Sequence, residues 1–181
     1  MVMPPLKTTQ VRYDLPARLC REIGRIIVAW AFLEQYAQEL VGKLLGIGKK
    51  EGRVALQQGD LPGRYEMIAT LGFLRDVDVE KLAVALKKRA EKHKRMRDLF
   101  AHSVWYFSQV QECWMLQTTK ESKPRPPGSS RHMGKRKLRP TGIPMGQAEL
   151  ASMYADLQQM IRDTRALELA IDAQLTPSDV S

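Results

Sequence analysis

Two cysteines, Cys20 and Cys113, and three histidines, His93, His102 and His132, are all that this 181-residue chain offers to disulfide or metal chemistry. A disulfide framework needs more cysteines, and a four-ligand zinc centre has too few ligands to assemble; no metal and no cofactor is expected. Aromatic residues make up 7% of the chain. No apolar run reaches the roughly 20 residues that a membrane-spanning helix needs. The opening Met1-Val2-Met3-Pro4-Pro5-Leu6-Lys7 has no apolar stretch of signal-peptide length, so a cytoplasmic protein without a membrane partner is expected. Acidic residues are in deficit too, 20 against 29 Lys and Arg, a net charge of +9. What remains is 44% hydrophobic residues, enough to bury one core in one domain.

The positive charge is concentrated. Residues 120–139 hold eight Lys and Arg against Glu121 alone, a net +7, and residues 87–98 hold seven against Glu91 and Asp98, a net +5. The rest of the chain is therefore slightly acidic. Two dense basic segments on such a body suggest a surface for a polyanion, since clustered Lys and Arg gain affinity for phosphates by releasing counterions.

Apolar spacing predicts a long helix over Leu15 to Leu45, with Leu19, Ile23, Ile27, Trp30, Ala37, Val41 and Leu44 on its inner face and Gly46-Ile47-Gly48 as its stop. A short helix over Glu51 to Gln57 follows. Asp60 can cap a third helix to about Leu74, with Tyr65, Ile68, Leu71 and Leu74 inward. A fourth runs from Val79 to about His102 on a stripe that begins Val79, Leu82, Leu86 and Ala90. Val104-Trp105-Tyr106-Phe107 and Cys113-Trp114-Met115-Leu116 read as a small hairpin. Residues 119–146, rich in Pro and Gly, read as a mobile basic loop, and Gln147 to Leu175 as the last helix. The expected fold is all-α: one antiparallel helical bundle over 13–175, with a hairpin and basic loop inserted at 104–146 and flexible tails at 1–12 and 176–181.

Two charges fall on stripes that should face the core. At 100° per residue, Glu34 lies within about 20° of the Ile23–Val41 line, and Arg97 within about 20° of Leu86. An isolated buried charge costs several kcal/mol, so the economical expectation is that Glu34 and Arg97 pair across the first and fourth helices. His93 shares the Arg97 stripe and reads as structural. His102 would point about 140° away from Arg97 on an unbroken helix, so the helix is expected to end or distort near it.

Arg97-Asp98-Leu99-Phe100-Ala101-His102, late in the penultimate long helix of a small helical protein, resembles the R-x4–6-H motif of the HEPN superfamily. Asp98 fits the polar residue that usually follows the arginine, and Trp30-Ala31-Phe32-Leu33-Glu34 and Trp105 resemble bacterial members. The resemblance implies a metal-independent endoribonuclease, as in host-defence or toxin–antitoxin systems, with RNA as substrate and 2′,3′-cyclic phosphate ends. It implies a homodimer in which two motifs meet, with Arg97 and His102 catalytic and Asp98 and Glu34 supporting them. Lys94, Arg95, Arg131, Lys135, Arg136, Lys137 and Arg139 would hold flanking RNA, and a cognate antitoxin would be a further partner. Two other readings stay open: a HEPN-like protein that binds nucleic acid or a nucleotide without cutting it, and a helical adaptor for a protein partner.

Overall fold

The computed structural model describes residues 15–56, 59–102, 104–108, 113–118, 141–144 and 146–175. These residues form a helical bundle of α1 (Ala17–Leu45), α2 (Lys49–Ala55), α3 (Leu61–Leu74), α4 (Glu80–His102) and α5 (Gln147–Gln174). Between α4 and α5 lie three short strands, β1 (Val104–Ser108), β2 (Cys113–Thr118) and β3 (Thr141–Pro144). None of the described helices is long and apolar enough to cross a membrane.

Helix α1 is the axis of the core. Ile26, Leu33, Ala37, Val41 and Leu44 are fully buried because α3, α4 and α5 all pack on it. Its buried face is consequently wider than a single stripe. Ile26 takes the inward place expected of Ile27, which is 37% exposed. Gly46, at φ 70°, ends the helix in the left-handed conformation, and the N–H of Ile47 donates to Gly42 O at 3.1 Å. Leu74, expected inward, is exposed: it is the last residue of α3, where the turn swings away and Val77 and Val79 close the core instead.

Side-chain pairs give the helix directions. Lys87 meets Glu66 at 2.9 Å and Lys94 meets Asp60, so α3 and α4 are antiparallel. Arg89 reaches Asp163 and His93 reaches Asp156, so α4 and α5 are antiparallel too. Helices α1 and α5 run the same way: Arg25 lies over Tyr154, Tyr36 donates to Glu168, and Lys43 pairs with Asp172 at 2.7 Å. Burial and the Glu168 carboxylate together push the Tyr36 hydroxyl up to about 12. Parallel helix dipoles repel weakly, and these cross-links offset that cost.

Strand β2 is central in the sheet. It pairs antiparallel with β1, Trp105 opposite Leu116, and with β3, Leu116 opposite Ile143. Trp105 and Leu116 are buried against the bundle, and Trp105 stacks on Phe100 of α4 at 5.9 Å. The hairpin is thus present, but residues 141–144, read as part of a mobile loop, are its third strand. Thr141 and Ile143 suit a pleated edge, Pro144 ends it, and the strand supplies partners that the outer edge of β2 would otherwise lack. Residues 119–140 and both expected tails, 1–12 and 176–181, lie outside the described residues.

Asp60 caps α3 as the sequence indicated: its carboxylate accepts from Gly63 N–H at 2.9 Å and also from Lys94. The Lys94 hydrogen bond, and then the Gly63 N–H, hold the Asp60 carboxyl below its usual range. A depressed carboxylate stabilises the fold above its unfolded pKa, and that contribution fades as pH falls through the depressed value. Asp60→Ala is therefore expected to cost about 1 kcal/mol at pH 7, roughly 2–4 °C in Tm. The gap to the unmodified protein should narrow in melts taken from pH 7 towards pH 3; a gap unchanged between the two pH values would remove the carboxylate from the account.

Candidate functional site: the clamp on Arg97

The expected pairing across α1 and α4 is formed. Arg97 Nη2 donates to Glu34 Oε1 at 2.7 Å, and Trp30 Nε1, one turn earlier on α1, donates to the same oxygen at 2.8 Å. The guanidinium lies over the Trp30 ring, 5.2 Å from its centroid, and Nη1 sits 3.1 Å from Asp98 Oδ1. Arg97 Nε is buried with no hydrogen-bond partner among the described residues. Two contacts from α1 and one from its own neighbour therefore fix the plane of the group. Both side chains of the pair keep about a quarter of their surface open, 23% for Arg97 and 27% for Glu34. The pair is thus not sealed from solvent, and a guanidinium with five donors is a group suited to an oxyanion or phosphate.

Glu34 is anchored from behind. Arg64, on α3 and almost wholly buried, donates through Nη1 to the Glu34 backbone oxygen at 2.9 Å and through Nη2 to Leu56 O at 3.4 Å. Arg64 and Glu34 also form one wall of a cavity of about 720 Å³ between α1 and α2, which Gln38, Lys43 and Glu168 line as well. Neither Arg64 nor the Trp30 donor is among the site residues expected from the sequence, although signals for both exist in it. Arg64 stands one turn before the inward Ile68, and Trp30 one turn before Glu34, the spacing at which helical side chains meet.

The other expected site residues are dispersed. Helix α4 stays helical through its last residue, His102, which is exposed. The helix ends there, as expected, and without a distortion before it: Phe100 inside the final turn is buried and stacks on Trp105. Arg97 and His102 thus keep the roughly 140° separation of an unbroken helix and do not share a face within one chain. Lys94 turns to Asp60, whereas Arg95 is exposed. Arg131, Lys135, Arg136, Lys137 and Arg139 lie outside the described residues.

His93 belongs to a second polar cluster. Its Nε2 meets Asp156 Oδ2 at 2.5 Å, and Arg89 donates to Asp156 and to Asp163. Burial works against the Asp156 carboxylate, yet His93 and Arg89 outweigh it and hold its pKa low. Arg89 and His93 one turn apart, and Asp156 and Asp163 two turns apart, make a ladder joining α4 to α5. This places His93 in a structural role. Among the described residues no three His, Cys, Asp or Glu side chains gather as metal ligands.

Compared with family models, with curated proteins and with solved structures, the chain shows no match, so its function has to be argued from these residues.

Proposed function

We propose that this chain is a metal-independent endoribonuclease of the HEPN type that works as a homodimer. The observation that carries the reading is the clamp: an arginine late in α4, its plane set by Glu34, Trp30 and Asp98, with 23% of its side chain open to solvent. An oriented guanidinium stabilises the charge that develops on a phosphorane without reorganising as the reaction proceeds. In this chemistry the 2′-oxygen attacks the adjacent phosphorus, the bond to the 5′-oxygen breaks, and a cyclic phosphate remains. One group removes the 2′-hydroxyl proton and another protonates the departing 5′-oxygen. A single exposed His102 supplies one such group, and its separation from Arg97 around α4 leaves the set incomplete in one chain. A second copy, placed by a twofold axis, would complete it.

The test is incubation of the purified chain with RNA in excess EDTA, followed by analysis of the ends. Fragments with 2′,3′-cyclic phosphate and 5′-hydroxyl ends are expected. Intact RNA, or fragments bearing 3′-hydroxyls, would overturn the assignment.

One observation favours a second reading, in which the protein binds nucleic acid without cutting it. Both terminal nitrogens of Arg97 already face carboxylates, so its charge is largely neutralised where it stands. On that reading RNA is retained and remains whole.

A further inference from the structure

Helix α4 sorts its cations by direction. Lys87, Arg89, Lys94 and Arg97 point towards neighbouring helices, and each pairs there with an acid: Glu66, Asp156 with Asp163, Asp60 and Glu34 respectively. Lys81, Lys88, Lys92 and Arg95 are exposed and form no ion pair among the described residues. Counted at 100° per residue, these four and His102 fall within an arc of about 80° and extend about 31 Å along the axis. Glu91, the acid beside that arc, lies 4.0 Å from Lys87. A solvated helix face ordinarily mixes both signs for mutual support. Here Glu91 and Asp98 lie against the inward cations Lys87 and Arg97, and a line of unpaired positive charge runs outward to the histidine.

We infer that this stripe, Lys81–Lys88–Lys92–Arg95, is the track on which the sugar–phosphate backbone of RNA lies, delivering a linkage to His102 at its end. The inference rests on the nuclease reading for what happens at His102, but not for the binding itself. Spacings of about 4.5 to 10.5 Å between successive members, at 1.5 Å per residue, match contacts to adjacent or alternate phosphates. The charges act additively through counterion release, so no single lysine is indispensable and the signature is a salt slope rather than one lost contact.

The experiment measures binding of a fluorescein-labelled 20-nucleotide RNA by anisotropy between 50 and 300 mM salt. The full chain carries K81Q, K88Q, K92Q and R95Q together. A control carries R18Q, R21Q, K50Q and R53Q, an equal loss of charge at exposed positions on α1 and α2. Neutralising the stripe should weaken binding at least about tenfold at 100 mM salt and flatten the log–log slope by about 3, the sum of roughly 0.7 for each of four single-strand phosphate contacts. The control should stay near the unmodified protein. Equal weakening in both variants, unchanged binding in the stripe variant, or no RNA binding by the unmodified chain would each overturn the track. Failure of the nuclease reading looks different: RNA binds with the stripe-dependent slope and is never cut.

Discussion

His102→Ala is expected to lower RNA cleavage by at least about 10²-fold, the ordinary contribution of one positioned proton-transfer group, while thermal stability stays within about 0.5 kcal/mol of the unmodified protein. The structural half of that expectation follows from position. His102 is the last residue of α4, exposed, and neither packs in the core nor makes an ion pair among the described residues. Removing its ring costs no cavity and orphans no buried partner. Any loss of cleavage can then be assigned to chemistry rather than to unfolding. Affinity for RNA should change little, because the phosphate contacts are assigned to Lys81, Lys88, Lys92 and Arg95. Cleavage and stability measured on the same preparation decide the matter: normal cutting removes His102 from the site, and a large fall in Tm would show that it supports the fold instead.

The helices were legible because their signals are local. Spacing of apolar residues fixed α1 and α5 to within two residues, Asp60 announced α3, and Gly46 closed α1. The Glu34–Arg97 pair was legible for an energetic reason: a charge on an inward stripe demands a partner, and the α4 stripe carried the opposite sign in a comparable place. Third-dimensional facts were less accessible. Nothing in a one-dimensional pattern says that α1 and α5 run in the same direction, which follows from how α2 and the strands return the chain. Strand β3 was hidden because Gly142 and Pro144 are turn formers by composition, and its pairing depends on an edge of β2 more than twenty residues away. The end of α4 at His102 was legible from the β-prone sequence that follows it, whereas the stacking of Phe100 on Trp105 is a tertiary result. Among cations, sequence could count the charges on α4 but could not sort the paired from the unpaired; Lys94 and Arg95 are neighbours with opposite fates.

The clamp itself can be separated into stability and function. Glu34→Leu alone leaves the Arg97 guanidinium half-buried without its main counter-charge and the Trp30 N–H without an acceptor. Breaking a fully buried pair costs about 3–5 kcal/mol; with some 23% and 27% of these side chains open to water, about 1.5–3 kcal/mol is expected, or roughly 3–12 °C in Tm. Adding Arg97→Met removes the stranded charge and fills much of the same space. Apolar replacement of a whole ion pair is often neutral, so the double variant should recover most of the lost stability, a coupling of about 1–2 kcal/mol. Cleavage should not recover with it. A pair that serves only the fold would be replaceable, and RNA would be cut as before by the restabilised protein. A pair whose purpose is to aim a guanidinium at phosphate cannot be replaced by a well-packed methionine, so a stable, RNA-binding but inactive double variant is the expected outcome. Restored Tm together with restored cleavage would reduce Arg97 to a structural residue and move the search for the phosphate-stabilising cation to the stripe on the outer face of α4.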